Sequence, residues 1–180
     1  DQVTTALDRV KGEQAVRESE RRFRMIAERV DEIIYLSKPD FSEVLYVNPA
    51  YEEVYGQTVE TLHDDPTAFL DPIDDRDRER FESEFEEMLA EIEAGESQDS
   101  YEFEFRIRQP GGEVRWLSAT GYLVEPANGT RRFVGIVNDI TERKRREQRL
   151  EVFNRILRHN LRNQLDVIRS HAEVLADQTT

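Results

Sequence analysis

One histidine near the end of the chain lies in a pattern that suits phosphoryl chemistry. The stretch RHNLRNQL covers residues 158–165 and contains His159. His159 is two residues from both Leu157 and Leu161, which at about 100° per residue places it roughly 200° around the helix from either. The spacing therefore predicts an imidazole on the open face of a helix, where it can reach a phosphoryl donor. The apolar residues that define the opposite face are Leu150, Phe153, Leu157, Leu161, Leu165, Ile168, Ala172 and Leu175.

The same apolar repeat supports a plainer interpretation of His159. Steps of three and four residues approximate a heptad, which is typical of a helix that pairs with a second helix. We therefore expect a homodimer through the terminal helices. On the solvent-exposed face of such a coiled coil, His159 would be a polar residue without chemical reactivity, and this alternative stays open. His171 lies outside any motif and is expected to be a solvent-exposed histidine without reactivity.

Composition limits the function further. The chain has 39 acidic against 25 basic residues, a net charge of −14 and no cysteine. The absence of cysteine excludes disulfides, thiolate chemistry and cysteine-bound metals, and a reducing cytoplasm is the simplest location. Only 3 of the basic residues are lysine, so the surface resembles that of a halophilic archaeon, although an ordinary acidic protein remains the alternative.

Nucleic-acid and membrane functions are not favoured. Basic residues within 131–169 alternate with acids, which predicts a solvated helical face, and DNA binding fits poorly with the net charge. No apolar run approaches the roughly 18 residues that cross a bilayer. Because the chain begins at Asp1, we expect it to be part of a longer protein.

The segment before the helix with His159 alternates between strand and helix patterns. Residues 1–29 predict a polar helix, and 31–38 and 42–48 predict a hairpin. A short helix follows, with Asn48 as its cap, Pro49 in its first turn and Gly56 at its end. A further short helix begins after Thr58. The longest internal helix, 71–95, carries an apolar stripe of Phe81, Phe85, Met88, Leu89 and Ile92.

Three strands then follow in succession, at 100–109, 113–125 and 131–140. The first alternates strictly, with Tyr101, Phe103, Phe105 and Ile107 on one face. Turns are predicted at 110–112 and 126–130. The order of elements predicts an α+β fold, in which a five-stranded antiparallel sheet carries short helices on one face and coiled-coil-like helices flank it at both ends.

This order and three motifs resemble a PAS sensor domain across residues 20–141. The motifs are NPAYEEVYG (48–56), GGEVRW (111–116) and DIT (139–141). The resemblance implies a small cavity between sheet and helices. It also implies that Asp139, Thr141 and Trp116 couple the sheet to the following helix. A plain helix cap at Thr141 is the alternative, and Lys144 stands where a capping box would need Glu or Gln.

The same resemblance bears on cofactors. Without cysteine, the flavin–cysteinyl adduct known in the family cannot form. A haem would need an axial ligand, and His63 is the only histidine inside the domain; it lies in an acidic loop and is expected at the surface. No cofactor is identified, and a small-molecule ligand in the cavity is the remaining class. The aromatic residues Tyr35, Tyr46, Tyr51, Phe103 and Phe105 are expected to be core.

RHNLRNQL resembles the phosphoacceptor box of sensor histidine kinases, His-Glu-Leu-Arg-Thr/Asn-Pro-Leu, and HNLRN is similar to the haloarchaeal version. By that resemblance His159 is the phosphorylated residue, while Asn163 and Arg162 support phosphatase action and phosphotransfer. Leu161 and Leu165 also match, whereas Asn160 and Gln164 differ. An acid normally accepts the imidazole proton at position 160, and an amide cannot act as that base.

The two resemblances predict an N-terminal linker helix (1–22), a PAS sensor domain (23–141) and a signalling helix with part of a dimerisation and phosphoacceptor region (142–180). The sequence contains no Gly-rich nucleotide-binding segment, so kinase activity would need the ATP-binding domain of a parent sensor kinase, with a response regulator as its partner. Whether this chain is itself part of an enzyme stays open. The alternative is a dimerisation or protein-interaction module of a signal transducer with a non-reactive coiled coil.

Overall fold

The computed structural model describes residues 17–126 and 129–177, except the side chains of residues 159, 160 and 163–177. The chain divides into two compact units, Asp1–Ile140 and Thr141–Thr180. In the first unit, helix α1 spans residues 17–27. It is followed by β1 (Ile33–Ser37), β2 (Val44–Val47), α2 (Ala50–Tyr55), α3 (Val59–Asp64), a 3-10 turn (Ala68–Leu70), α4 (Asp75–Ala94), β3 (Tyr101–Arg108), β4 (Val114–Val124) and β5 (Arg132–Asp139).

The strands of the described residues form one five-stranded sheet in the order β2-β1-β5-β4-β3, with every neighbouring pair antiparallel. The two hairpins at the ends of the sheet are thus joined through the pairing of β1 with β5. This arrangement confirms the predicted α+β fold. The polar helix predicted for residues 1–29 is observed over 17–27, and its earlier part lies outside the described residues.

The alternation in β3 behaves as the sequence predicts. Tyr101, Phe105 and Ile107 are buried and Phe103 is half-buried against the core, while Glu102 and Glu104 are exposed. The buried face of the sheet packs against the helices, and the core includes Phe81, Met88 and Ile92 from α4. Asp74 caps the start of α4 with its carboxylate, which accepts the backbone N–H of Arg76, and the left-handed Gly95 follows the end of the helix.

Asn48 has a different role from the predicted one. The residue that precedes α2 in the capping position is Pro49, and no side chain caps this helix. Asn48 is fully buried; its Oδ1 accepts the N–H of Ile34 at 3.0 Å, and its Nδ2 donates to the carbonyls of Ala27 and Glu32 at 2.8 and 2.9 Å. A buried amide satisfies its hydrogen bonds where partners converge, so it joins the end of α1 to the start of β1 instead of capping α2. The predicted Thr58 cap and Gly56 terminus are confirmed.

Tyr46 is the second residue that differs from expectation. Its neighbours Val44 and Val47 are buried, but Tyr46 lies on the opposite face of β2, where its ring is 5.6 Å from that of Phe23 in α1. Val47 pairs with Tyr35 and Tyr46 pairs with Leu36, and a register shift follows between Leu36 and Ser37. Because neighbouring side chains point to opposite faces of a sheet, Tyr46 does not share the core with Tyr35. The N-terminal helix thus contributes an aromatic contact to the outer face of the sheet.

The second unit contains one long helix, α5, from Thr141 to Asp177. Its apolar side chains in the described part are exposed, among them Leu150, Phe153, Leu157 and Leu161. Among the residues described, no helix is both long and apolar enough to span a bilayer. The predicted apolar positions from Leu165 onward have side chains outside the described set.

Candidate functional site

The core of the first unit contains a cavity of ≈ 70 Å³ between the inner face of the sheet and the helices. All five strands contribute to one wall, and α2, α3 and α4 contribute to the other. Aromatic rings dominate the lining, and no residue of the lining carries a formal charge at neutral pH. The lining residues from the sheet include Ile33, Tyr35, Phe103, Phe105, Ala119, Gly121, Phe133 and Val137, and those from the helices include Tyr51, Tyr55, Leu62, Phe81, Phe85 and Met88.

Two glycines make room for the rings on the sheet side. Gly121 and Gly135 face each other across β4 and β5, and Gly135 also pairs with Tyr35 on β1. A Cβ atom at Gly135 would collide with the ring and hydroxyl of Tyr35, and one at Gly121 would collide with the ring of Phe133. Glycine inside a strand is a signal for such a close approach. The sequence therefore shows a glycine within each of these strands, but only the strand register shows that each glycine lies beneath an aromatic ring.

Phe41, in the turn between β1 and β2, also lines the cavity. Phe41 is buried although it has a positive φ of 55°, a conformation that bulky residues rarely adopt. Its ring lies 5.0 Å from both Phe85 and Phe133 and 6.2 Å from Tyr35. The aromatic contacts hold the residue in this backbone conformation.

The polar atoms of the lining come mainly from three tyrosines. The hydroxyl of Tyr51 donates to Oε1 of Gln57 at 2.6 Å. Burial raises the pKa of Tyr35, and it raises the pKa of Tyr55 as well, with smaller additions from Tyr51 and Tyr35. Both phenols therefore stay neutral across the physiological range of pH.

A polar network connects α4 with the outer edge of the sheet. The carboxylate of Asp77 accepts the backbone N–H of Arg106 and two N–H groups of its guanidinium at 2.7–2.8 Å. The Cζ atom of Arg106 lies 4.7 Å from the ring centroid of Trp116, a distance at which a cation and an aromatic face attract each other. Sequence reasoning missed the Asp77–Arg106 pair, because 29 residues separate its members.

The residues predicted to couple sheet and helix lie at one end of the sheet. The carbonyl of Trp116 accepts the N–H of Ile140 at 2.8 Å, and Oδ2 of Asp139 accepts from Arg115 at 3.3 Å. Trp116 is thus connected both to the Asp77–Arg106 pair and to the residue directly before Thr141. Thr141 is the first residue of α5. Their coupling role stays a prediction.

His63 does not line the cavity. Its ring is exposed, and its Nδ1 lies 3.2 Å from the carbonyl oxygen of Val44 on the edge strand β2. Its exposure agrees with the surface position that the sequence predicts.

The predicted phosphoacceptor residues all fall within α5. Arg162 is exposed. The side chains of His159, Asn160 and Asn163 lie outside the described residues, so their predicted orientation stays a prediction.

Comparison with known proteins identifies the family. Residues 44–137, more than half of the chain, match the family model described as the PAS fold. A structure of a sensory box histidine kinase/response regulator from Burkholderia thailandensis is 27% identical, with a TM-score of 0.54, over 77% of this chain and 98% of that one. A domain of a histidine kinase from Haloarcula marismortui is 31% identical, with a TM-score of 0.49, over 67% of this chain and 99% of that one.

Similarity also extends to a curated protein. The uncharacterised protein y4lL of Sinorhizobium fredii is 29% identical over 157 residues, which cover 87% of this chain but only 18% of that protein. The chain thus corresponds to less than a fifth of the length of this relative. The chain belongs to the PAS family, and it is a PAS sensor domain homologous to those of sensor histidine kinases.

Proposed function

We propose that this chain is the signal-sensing part of a cytoplasmic two-component sensor histidine kinase of the haloarchaeal type. It would couple a ligand or stimulus in the PAS core to phosphorylation of His159. In this assignment residues 1–22 are a linker helix, 23–141 the sensor domain, and 142–180 the signalling helix with part of the dimerisation and phosphoacceptor region.

The observation that carries the proposal is the place of β5 in the chain. Phe133 and Val137 of β5 line the cavity, and β5 ends two residues before the first residue of α5. A molecule that displaces these side chains acts on the strand that leads directly into the helix of the RHNLRN motif. Asp139, Thr141 and Trp116 would transmit that change.

Position 160 shapes the proposed chemistry. His159 would attack the γ-phosphate of ATP through its unprotonated imidazole nitrogen, which forms a P–N bond and releases ADP. The proton on the other ring nitrogen would pass to solvent or to another group, since Asn160 cannot accept it. Arg162 and Asn163 lie three and four residues after His159, on the same side of a helix. They would assist transfer to the response regulator and its dephosphorylation.

The test is ATP-dependent phosphorylation in a protein that carries this chain together with a histidine-kinase ATP-binding domain, either its own or one fused after Thr180. We expect acid-labile label in the unaltered protein and none in His159→Gln. His171→Gln is the matched control, because it removes a histidine of the same helix outside the motif. Equal labelling of His159→Gln and the unaltered protein would show that His159 is not the acceptor.

The second candidate function is a dimerisation or protein-interaction module of a signal transducer. It is favoured by the exposed apolar residues of α5, which need a partner helix whether or not His159 reacts. The kinase proposal also includes a homodimer through these helices, so dimerisation alone does not separate the two. Phosphorylation of His159 separates the two functions, because only the kinase proposal requires it.

A further inference from the structure

We propose that the core cavity binds a small uncharged molecule with an apolar body and one oxygen or nitrogen atom that hydrogen-bonds to the hydroxyls of Tyr35 and Tyr55. This inference rests on the proposed function, because it names the class of signal that the sensor domain would detect. It follows from the volume of the cavity, the chemistry of its wall and the two tyrosine hydroxyls.

The volume sets the size of the molecule. The cavity measures ≈ 70 Å³, and a single water needs about 10–15 Å³ of such space. The cavity therefore holds about five to seven non-hydrogen atoms in its present conformation. A flavin or haem ring system is several times larger, whereas a single six-membered ring with one substituent fits.

The residues that line the cavity determine the charge of the molecule that it can bind. None of the lining residues is Asp, Glu, Lys, Arg or His, and most are Phe, Tyr or aliphatic. A charged molecule would lose its hydration without gaining an ion pair, which makes its transfer into the cavity unfavourable. An uncharged molecule with an apolar body loses little hydration and gains contacts with the surrounding rings.

The hydroxyls of Tyr35 and Tyr55 determine the hydrogen-bonding atom that the bound molecule needs. Unlike Tyr51, which donates to Gln57, neither has a hydrogen-bond partner among the described residues. Tyr55 is only 3% exposed. Both tyrosines line the cavity, so a ligand atom with a lone pair would accept a hydrogen bond from their hydroxyls.

The experiment uses phenol as the probe, with benzoate and toluene as matched controls. All three contain one six-membered ring, but benzoate carries a charge and toluene lacks a hydrogen-bonding atom. We expect phenol to raise the melting temperature of the chain and to shift the amide NMR signals of Gly121 and Gly135. Benzoate should do neither, and toluene should bind more weakly than phenol.

Variants then locate the site. Tyr35→Phe and Tyr55→Phe keep the ring and remove the hydroxyl, so each should weaken phenol binding about five- to tenfold while toluene binding is unchanged. Ala119→Ile should fill the cavity and abolish binding of both. Thr120→Ile changes the adjacent residue of β4, which points to the other face of the sheet, and should leave binding intact.

Three results would overturn the inference. These are benzoate binding as tightly as phenol, unchanged phenol binding in both Phe variants, or no phenol binding at millimolar concentration, which would show that the cavity holds water only. His159 labelling with ATP separates the two proposals. Labelling without phenol binding rejects only the ligand class, and phenol binding without labelling rejects the kinase assignment but not the cavity's chemistry.

Discussion

Asp77 and Arg106 are joined by three hydrogen bonds, of which one goes to the backbone N–H of Arg106 and two to its guanidinium. Arg106 lies on β3, an edge strand whose outer side would otherwise present unpaired backbone groups. The carbonyl of Arg106 in turn accepts the N–H of Asp74. The start of α4 therefore covers this edge of the sheet and fixes the helix that lines the cavity.

This pair predicts a specific loss of stability in acid. Hydrogen bonds from Arg106 hold the pKa of the Asp77 carboxyl below its usual value, which is about 3.9 in an unfolded chain. The stabilisation is thus fully present above about pH 4 and is lost as pH falls through the lower folded pKa. We expect Asp77→Asn to lower the free energy of unfolding by about 2–3 kcal/mol at pH 7 and by progressively less toward pH 2. Urea unfolding at several pH values measures this difference.

The control for that experiment is Asp75→Asn in the same helical turn. Asp75 is fully exposed, and its nearest cation is 4.0 Å away, so its replacement should change stability by less than about 0.5 kcal/mol. A constant difference between Asp77→Asn and the unaltered protein from pH 7 to pH 2 would contradict the assigned pKa shift.

Trp116 offers an optical test of the same network. It is the only tryptophan of the chain, and the Arg106 guanidinium lies over its ring. Arg106→Gln removes the cation, so we expect a change in the wavelength or intensity of the tryptophan fluorescence of the folded protein. Arg108→Gln is the matched control on the same strand, since Arg108 binds Asp74. Identical spectra for Arg106→Gln and the unaltered protein would contradict the stacking.

Replacement of Asn48 is expected to cause a second large loss of stability. Asn48→Ala would leave the N–H of Ile34 and the carbonyls of Ala27 and Glu32 without these hydrogen bonds. We expect a loss of about 2–4 kcal/mol in urea unfolding. Asn48→Asp keeps the shape but points an acceptor at two carbonyl oxygens. It should be at least as unstable at pH 7 and partly recover when the acid is protonated; equal stability of Asn48→Asp and the unaltered protein at pH 7 would show that the amide donor is unimportant.

A side chain at Gly135 is expected to lower the stability of the fold. A Cβ at this position overlaps the ring of Tyr35, so Gly135→Ala must displace that ring and should cost about 1–3 kcal/mol. Gly111→Ala is a suitable control, because an added Cβ there meets no atom within 4 Å. Thermal unfolding of the two variants distinguishes them, and equal melting temperatures would mean that Tyr35 does not lie over Gly135.

At position 41 the glycine variant is expected to be more stable than the alanine variant, which reverses their usual order of stability. Both Phe41→Ala and Phe41→Gly lose the buried ring, which costs about 3–5 kcal/mol. Only glycine adopts the observed positive φ without strain. We therefore expect Phe41→Gly to be more stable than Phe41→Ala by about 1 kcal/mol. Urea unfolding checks this, and a more stable alanine variant would show that the turn does not keep its left-handed conformation.

Much of the fold was determined by the sequence alone. The strict alternation of β3, the apolar stripe of α4 and the terminating residues Gly56 and Gly95 predicted the elements within a few residues of their observed bounds. Such signals are local, since they depend on side-chain periodicity and backbone conformation over a few residues. The histidine motif is equally local, and the sequence places His159 in a helical segment without reference to any other element.

The tertiary structure alone decided which distant residues meet. Asn48 satisfied the local rules for a helix cap, but three backbone groups from α1 and the start of β1 converge on its amide. Gly121 and Gly135 gain their meaning from the register that sets them opposite each other and beneath two rings. Asp77 and Arg106 meet because α4 packs along the edge of β3. Pairing between strands and packing of a helix on a sheet depend on contacts across long stretches of chain, and no spacing within one segment encodes them.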